Sequence, residues 1–152
     1  MTITIINETQ SRCPKKFIEN WMSFIEKELT RLKVHQYKLL KNSHVTIVLI
    51  ERAKARKLNL HYRQKDYATD ILSFSGDGRT ELGDLVLCWP VLIRQAKEHD
   101  LSFNEELAYL LTHGVLHLLG YDHEKNHREE KLMLSLQDKV FLLFDRFTES
   151  VK

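Results

Sequence analysis

His113, His117 and His123 lie within the stretch HGVLHLLGYDH, in the spacing H-x-x-x-H-x-x-G-x-x-H. Residues four apart share one face of an α-helix, so His113 and His117 can offer two imidazoles to a single ion. Gly120 follows where such a helix needs a left-handed residue in order to stop. A stop there lets the chain turn back and bring His123 to the same ion. Three neutral imidazoles with an open fourth position describe a catalytic zinc site; structural zinc sites are closed by four protein ligands. The expected cofactor is one zinc ion per chain, although imidazole also suits nickel, copper and iron.

The spacing is similar to the metzincin pattern H-E-x-x-H-x-x-G-x-x-H at its three histidines and its glycine. It departs at Gly114, where that pattern carries the glutamate that serves as general base. A zinc cage is therefore expected without the usual base for peptide hydrolysis. Gly114 is read as room for a substrate to come close to the helix.

These side chains need a helix, and the surrounding sequence supplies one over about 104–119. Ser102 or Asn104 can cap it, and Glu105 and Glu106 favour its positive end. Leu107, Leu110, Leu111, Val115 and Leu118 form its apolar face, with Glu106, Tyr109, His113 and His117 on a flank. That helix can pack on a sheet and hold its histidines at a cleft. Four strands are expected, at Thr2–Ile6, Val45–Ile50, Asp70–Phe74 and Leu82–Leu87. The last two are joined through Gly76-Asp77-Gly78, a turn signal that favours a hairpin-like pairing. Helices are expected over about 14–34, 51–62, 90–99 and 125–147. In the first, Phe17, Trp21, Phe24, Ile25, Leu29 and Leu32 mark a core-facing stripe. Lys41-Asn42-Ser43 reads as a turn. The pattern gives an α+β domain, α/β-like in places, with a small mixed four-stranded sheet packed against about five helices, one of them the metzincin-like zinc helix. The strand order is not readable from it.

The length of 152 residues fits a single domain spanning residues 1–152. No apolar run reaches the roughly 20 residues of a membrane span, so no membrane association is expected. The stretch MTITIINET lacks the basic and apolar regions of a secretory signal. Cys13 and Cys88 are too few for a disulfide framework, and a cytoplasmic location is the default. The net charge of +2 hides an asymmetry: residues 1–65 hold 14 Lys and Arg against 5 Asp and Glu, and the remainder holds 9 against 16. A basic first half could face a polyanion.

Three stretches, LNLHYRQKDYATDILSF at 58–74, LGDLVL at 82–87 and HGVLHLLGYDH at 113–123, together resemble the YbeY family of bacterial endoribonucleases. The resemblance implies a metal-dependent hydrolase with His113, His117 and His123 as ligands and a functionally important arginine at Arg63. It implies RNA as substrate, with the ribosomal small subunit as a partner. The work would be maturation of ribosomal RNA, at the small-subunit 3′ end, and ribosome quality control. Two departures stand out. Ser75 follows Phe74 where members often carry proline, and Tyr109 stands where many carry a further histidine, which makes it a neighbour of the site.

Cleaving a phosphodiester needs a nucleophile, neutralisation of charge at phosphorus and a route for protons. Zinc held by histidines lowers the pKa of water to roughly 7. Arg63 can grip a phosphate with two parallel hydrogen bonds, which lysine cannot copy. Catalysis is thus expected at His113, His117 and Arg63. Lys54, Arg56, Lys57 and Lys65 are candidates for a phosphate track, and single-stranded RNA is the expected substrate because a flexible strand can reach a metal in a groove. Asp122, with Glu124 beside it, Tyr109, Asp70 and Asp84 are candidates for orienting the ligands. The proton acceptor is left open. His35, His44, His61, His99 and His127 lack ligand spacing and read as structural or surface residues. Two other functions compete: a zinc protease or amidase with a distant base, and a ribosome-assembly RNA-binding protein whose metal only stabilises the fold.

Overall fold

The elements run in the order β1 (Thr2–Asn7), α1 (Lys15–Arg31), a 3₁₀ segment (Tyr37–Asn42), β2 (His44–Ile50), α2 (Arg52–Arg63), β3 (Ile71–Ser75), β4 (Glu81–Cys88), α3 (Trp89–Glu98), α4 (Phe103–Leu118), α5 (His127–Phe141) and α6 (Phe144–Ser150). They are seen in a computed structural model that describes residues 1–152. The sheet order is β1-β2-β4-β3. β1, β2 and β4 are parallel, and β3 is an antiparallel edge strand. The four-stranded mixed sheet and the pairing of β3 with β4 match expectation.

The core explains why each element lies where it does. Ile18, Trp21, Met22, Ile25 and Leu29 recur at helical spacing along α1 and are fully or almost fully buried. With Val45, Ile47 and Leu49 of β2, Leu85 and Leu87 of β4, and Leu107, Leu111 and Val115 of α4, they form one cluster of 29 buried apolar residues. A smaller cluster that includes Ile50, Ala55, Leu72, Val86, Cys88 and Val91 sits around α2. Trp21 ties α1 to α4 directly, donating from its indole N–H to the Ala108 carbonyl at 2.9 Å. No helix is long and apolar enough to cross a membrane.

Three expectations about local structure need correction. The first helix stops at Arg31, short of 34, because Lys33 turns left-handed with φ 49°. Residues 37–42 form a 3₁₀ segment that buries Leu40, ahead of the turn expected at 41–43. The single helix expected over 125–147 is two helices. Leu142 and Leu143 leave the axis of α5, and the Leu143 N–H closes on Val140 three residues back. The kink lets α6 place Phe147 edge-on to Trp21, with ring centroids 4.9 Å apart, inside an aromatic group with Phe17, Phe24 and Phe144. The apolar stripe runs through the kink without interruption, so its periodicity carries no sign of the break.

Gly114 also has a different reason from the one expected. It is buried against the sheet, and a Cβ there would lie 2.7 Å from Leu85 Cδ2 and 2.9 Å from Ile71 Cδ1. The missing side chain sets how closely α4 approaches β3 and β4; it does not make room for substrate.

Candidate functional site

Both ends of α4 are built as its sequence demands. At the start, the Ser102 hydroxyl accepts from the Glu105 N–H and the Glu105 carboxylate accepts from the Ser102 N–H, a reciprocal capping box. At the end, Gly120 adopts φ 98°. Its N–H donates to the His117 carbonyl at 2.9 Å, and the Tyr121 N–H donates to the Leu116 carbonyl at 3.1 Å. These are the two bonds of a Schellman stop. The buried Tyr121 then fixes the return, its hydroxyl accepting from the His35 N–H at 2.8 Å.

The return carries His123 back to the helix. His113, His117 and His123 form a group in which one ring nitrogen from each lies within 4.8 Å of the others, and no cysteine or carboxylate joins it. His123 Nδ1 and His117 Nε2 are 2.9 Å apart. Nitrogens bound to one tetrahedral zinc at about 2.0–2.1 Å lie about 3.3 Å from each other. The group therefore fits a metal ion in both donor type and spacing. His113 Nδ1 donates to the side-chain oxygen of Gln137, a buried residue of α5, at 3.0 Å. That bond fixes the ring's tautomer and leaves Nε2 with its lone pair free.

Electrostatics favour the metal-binding form. Burial, with His113 and His123 adding to it, lowers the His117 imidazole to about 4. Burial also lowers His113, opposed by the hydrogen bond its Nδ1 donates to Gln137. Neutral imidazole is the form that binds metal. The sign for stability follows from the same shifts. Both rings sit below their ordinary 6.5 in the folded protein, so the unfolded chain takes up protons first as the solution is acidified. With metal chelated, stability is full above about pH 6.5 and falls as the pH drops toward about 4. Melting temperatures across this range should show that loss, and His117→Gln, which has no ring to protonate, should show less of it. Equal slopes for the two proteins would refute the assignment.

The three rings line a cavity of about 630 Å³. β3 forms one wall with Ile71, Leu72, Ser73 and Phe74, and the end of α2 and the loop after it form another with Tyr62, Arg63, Lys65 and Tyr67. Arg63 is the last residue of α2. Its Nη2 donates to Glu124 Oε1 at 2.8 Å, and the same oxygen lies 3.9 Å from His123 Nε2. Asp70 also lines the cavity, and its Oδ1 accepts from the Ile71 N–H at 2.7 Å and the Thr69 hydroxyl at 3.3 Å.

Other residues singled out by the sequence lie elsewhere. Lys54 pairs with Glu8, and Arg56 makes two bonds to Asp66 at 2.7 and 3.0 Å. Lys57 is exposed, and none of the three lines the cavity. Asp84 is exposed on β4 and also lies off the cavity. Tyr109 packs edge-on against Phe141, with centroids 5.5 Å apart. Asp122 accepts from the Glu124 N–H at 2.9 Å and so shapes the turn before Glu124. Glu106 is buried and bonded to His99, and it does not line the cavity. The other four histidines lie outside the group, His44 against Thr2 and Thr4, His35 beside Tyr121, His61 against Tyr62 and His127 at the first position of α5. Gln137 was not foreseen. Its one signal is a polar residue within the buried stripe Met133, Leu136 and Val140.

Comparison with known proteins agrees with this geometry. The chain is 45% identical over 141 residues to an endoribonuclease YbeY of Bdellovibrio bacteriovorus, covering 93% of each chain. It is 40% identical over 132 residues to one from a Sulfurihydrogenibium species, covering 84% of this chain and 81% of that one. The solution structure of TM1509 from Thermotoga maritima superposes with a TM-score of 0.62 at 29% identity, covering 92% of this chain and 87% of that one. The family model described as endoribonuclease YbeY matches residues 4–145, and the chain belongs to that family.

Proposed function

We propose that this protein is a metal-dependent endoribonuclease that cuts single-stranded RNA, with ribosomal RNA of the small subunit as its target. The observation that carries the reading is one cavity holding both the three imidazoles and the cations Arg63 and Lys65. Family membership supports the activity. His113, His117 and His123 would hold the metal, and zinc suits an all-imidazole set. When bound, the ion supplies a Lewis acid beside the scissile phosphate and makes water acidic enough to react at neutral pH.

The chain's own groups do the rest. Gln137 holds the His113 ring in one tautomer and orientation. Arg63 presents its guanidinium to non-bridging phosphate oxygens, and Lys65 adds a second positive charge. In the resting protein Glu124 occupies Arg63. A phosphate entering the cavity takes that place and frees the carboxylate next to His123.

Cleavage of a labelled unstructured RNA, lost on chelation and regained with zinc, tests the activity. RNA bound with equal affinity but never cut would favour an assembly factor, and digestion of peptides would favour a protease. Salt dependence tests the extent of the phosphate track. With only Arg63 and Lys65 engaged, log affinity against log salt should have a slope of about −1.4 or shallower for a single strand. A slope near about −3.5 would bring Lys54, Arg56 and Lys57 into the contact.

A further inference from the structure

Tyr62 and Tyr67 both line the histidine cavity, and each leaves more than half of its surface in water, 56% and 54%. A lone exposed aromatic residue is ordinary, but two lining the same cavity give it two aromatic faces that water reaches. Tyr62 directly precedes Arg63. Its ring meets Phe74 at 4.9 Å and 70°, and His61 at 4.7 Å and 90°. Two steep ring contacts fix its plane while more than half of the side chain stays in water. Tyr67 is fixed through its backbone. The fully buried Asn59 donates from Nδ2 to the Tyr67 carbonyl at 2.8 Å, and the Lys65 N–H donates back to the Asn59 carbonyl at 3.4 Å. The segment from Tyr62, in the last turn of α2, to Tyr67, in the loop after it, is thereby pinned, with Arg63 and Lys65 between the two rings in the chain.

Cations that hold a backbone, set among aromatic faces, are the means by which proteins bind unpaired nucleic acid. A base inside a duplex already has both faces covered and cannot use such a surface. We infer that Tyr62 and Tyr67 stack the unpaired bases that flank the phosphate held by Arg63 and Lys65. The inference rests on the endoribonuclease reading and adds to it the groups that select an unstacked strand. Stacking of this kind is sequence-tolerant, because every base has a face to offer.

The test uses the metal-loaded protein and a short unstructured RNA whose cleavage position has been mapped. The same RNA is then made with abasic sugars on either side of that position. For the wild type, removing each base should raise KM by about 10-fold, with a smaller effect on kcat. Tyr62→Ala and Tyr67→Ala should raise KM for the intact RNA by a similar factor and no longer distinguish it from the abasic RNA. Tyr62→Phe and Tyr67→Phe should behave as wild type, and metal content should stay constant throughout. Because Tyr62 also packs on Phe74, the abasic comparison on the unaltered protein stands as an independent readout if Tyr62→Ala folds poorly. Wild-type protein that cuts intact and abasic RNA equally well would overturn the stacking role alone. Protein that cuts no RNA, yet by fluorescence anisotropy binds an unstructured RNA about 10-fold more tightly than a copy carrying abasic sugars throughout, would overturn the endoribonuclease reading and leave the stacking role in place.

Discussion

His117→Ala is expected to lower RNA cleavage by more than about 10³-fold, since a catalytic metal contributes several kcal/mol at the transition state and each 1.36 kcal/mol is a factor of ten. The variant should purify with far less than one metal ion per chain. His117 occupies the middle of the three positions: it faces His113 across one helical turn, with centroids 4.6 Å apart, and touches His123 across the return at 2.9 Å. Without it, two rings remain on different segments of backbone with no third donor. The fold should survive, because the core contacts on either side come from the fully buried Leu116 and the buried Leu118, which the substitution does not touch. Rate, metal content and a thermal melt taken together check the prediction. A normal rate with normal metal content would remove the three-histidine centre from the chemistry.

The second large effect is expected at Arg63. Arg63→Ala should cost on the order of 10²-fold in kcat/KM, the scale of losing one well-placed donor to a developing negative charge. Arg63→Lys should recover only part of it, because an ammonium group is a point charge and cannot form the planar fork that grips two phosphate oxygens. Metal content should be unchanged in both variants, which separates this effect from loss of the centre. The role of Glu124 is checked in the same assay. Glu124→Gln removes the carboxylate that holds Arg63 at 2.8 Å in the resting state and raises the net charge by one, and both changes should lower KM for RNA. Full activity in Arg63→Lys would mean that only charge is needed at this position.

Local chemistry made a large part of this legible. The stop at Gly120 and the four-residue step from His113 to His117 are rules of a single helix, so the sequence alone places them. It narrows the cap to Ser102 or Asn104, of which the structure uses Ser102. The strand β2 was clear for a similar reason, since Val45–Ile50 is a nearly unbroken apolar run rich in β-branched residues. What stayed hidden depends on partners distant in the chain. Lys54 and Arg56 look like free cations until Glu8 and Asp66 are found beside them. Gln137 looks like a surface residue until α5 packs beside His113. Gly114 invited a functional reading because its neighbours do chemistry, but its constraint comes from Leu85 and Ile71 on the sheet. The order β1-β2-β4-β3 lay beyond reach because hydrophobicity tells a strand that it is buried and not which strand lies next to it.

The Schellman stop and the short return after it also bear on how the protein assembles. Only five residues separate His117 from His123, whereas β1 must find β2 across the whole of α1 to pair Thr2 with His44. Small loops close quickly and at low entropic cost, and long-range parallel pairings form late. The three rings are thus joined by a short stretch of chain and can approach one another once one helix and its terminator exist. His35, which bonds Tyr121 of the return, and Gln137, which bonds His113, come from segments far away in the sequence. Disturbances that delay the docking of those segments should slow the final setting of the rings more than their first approach.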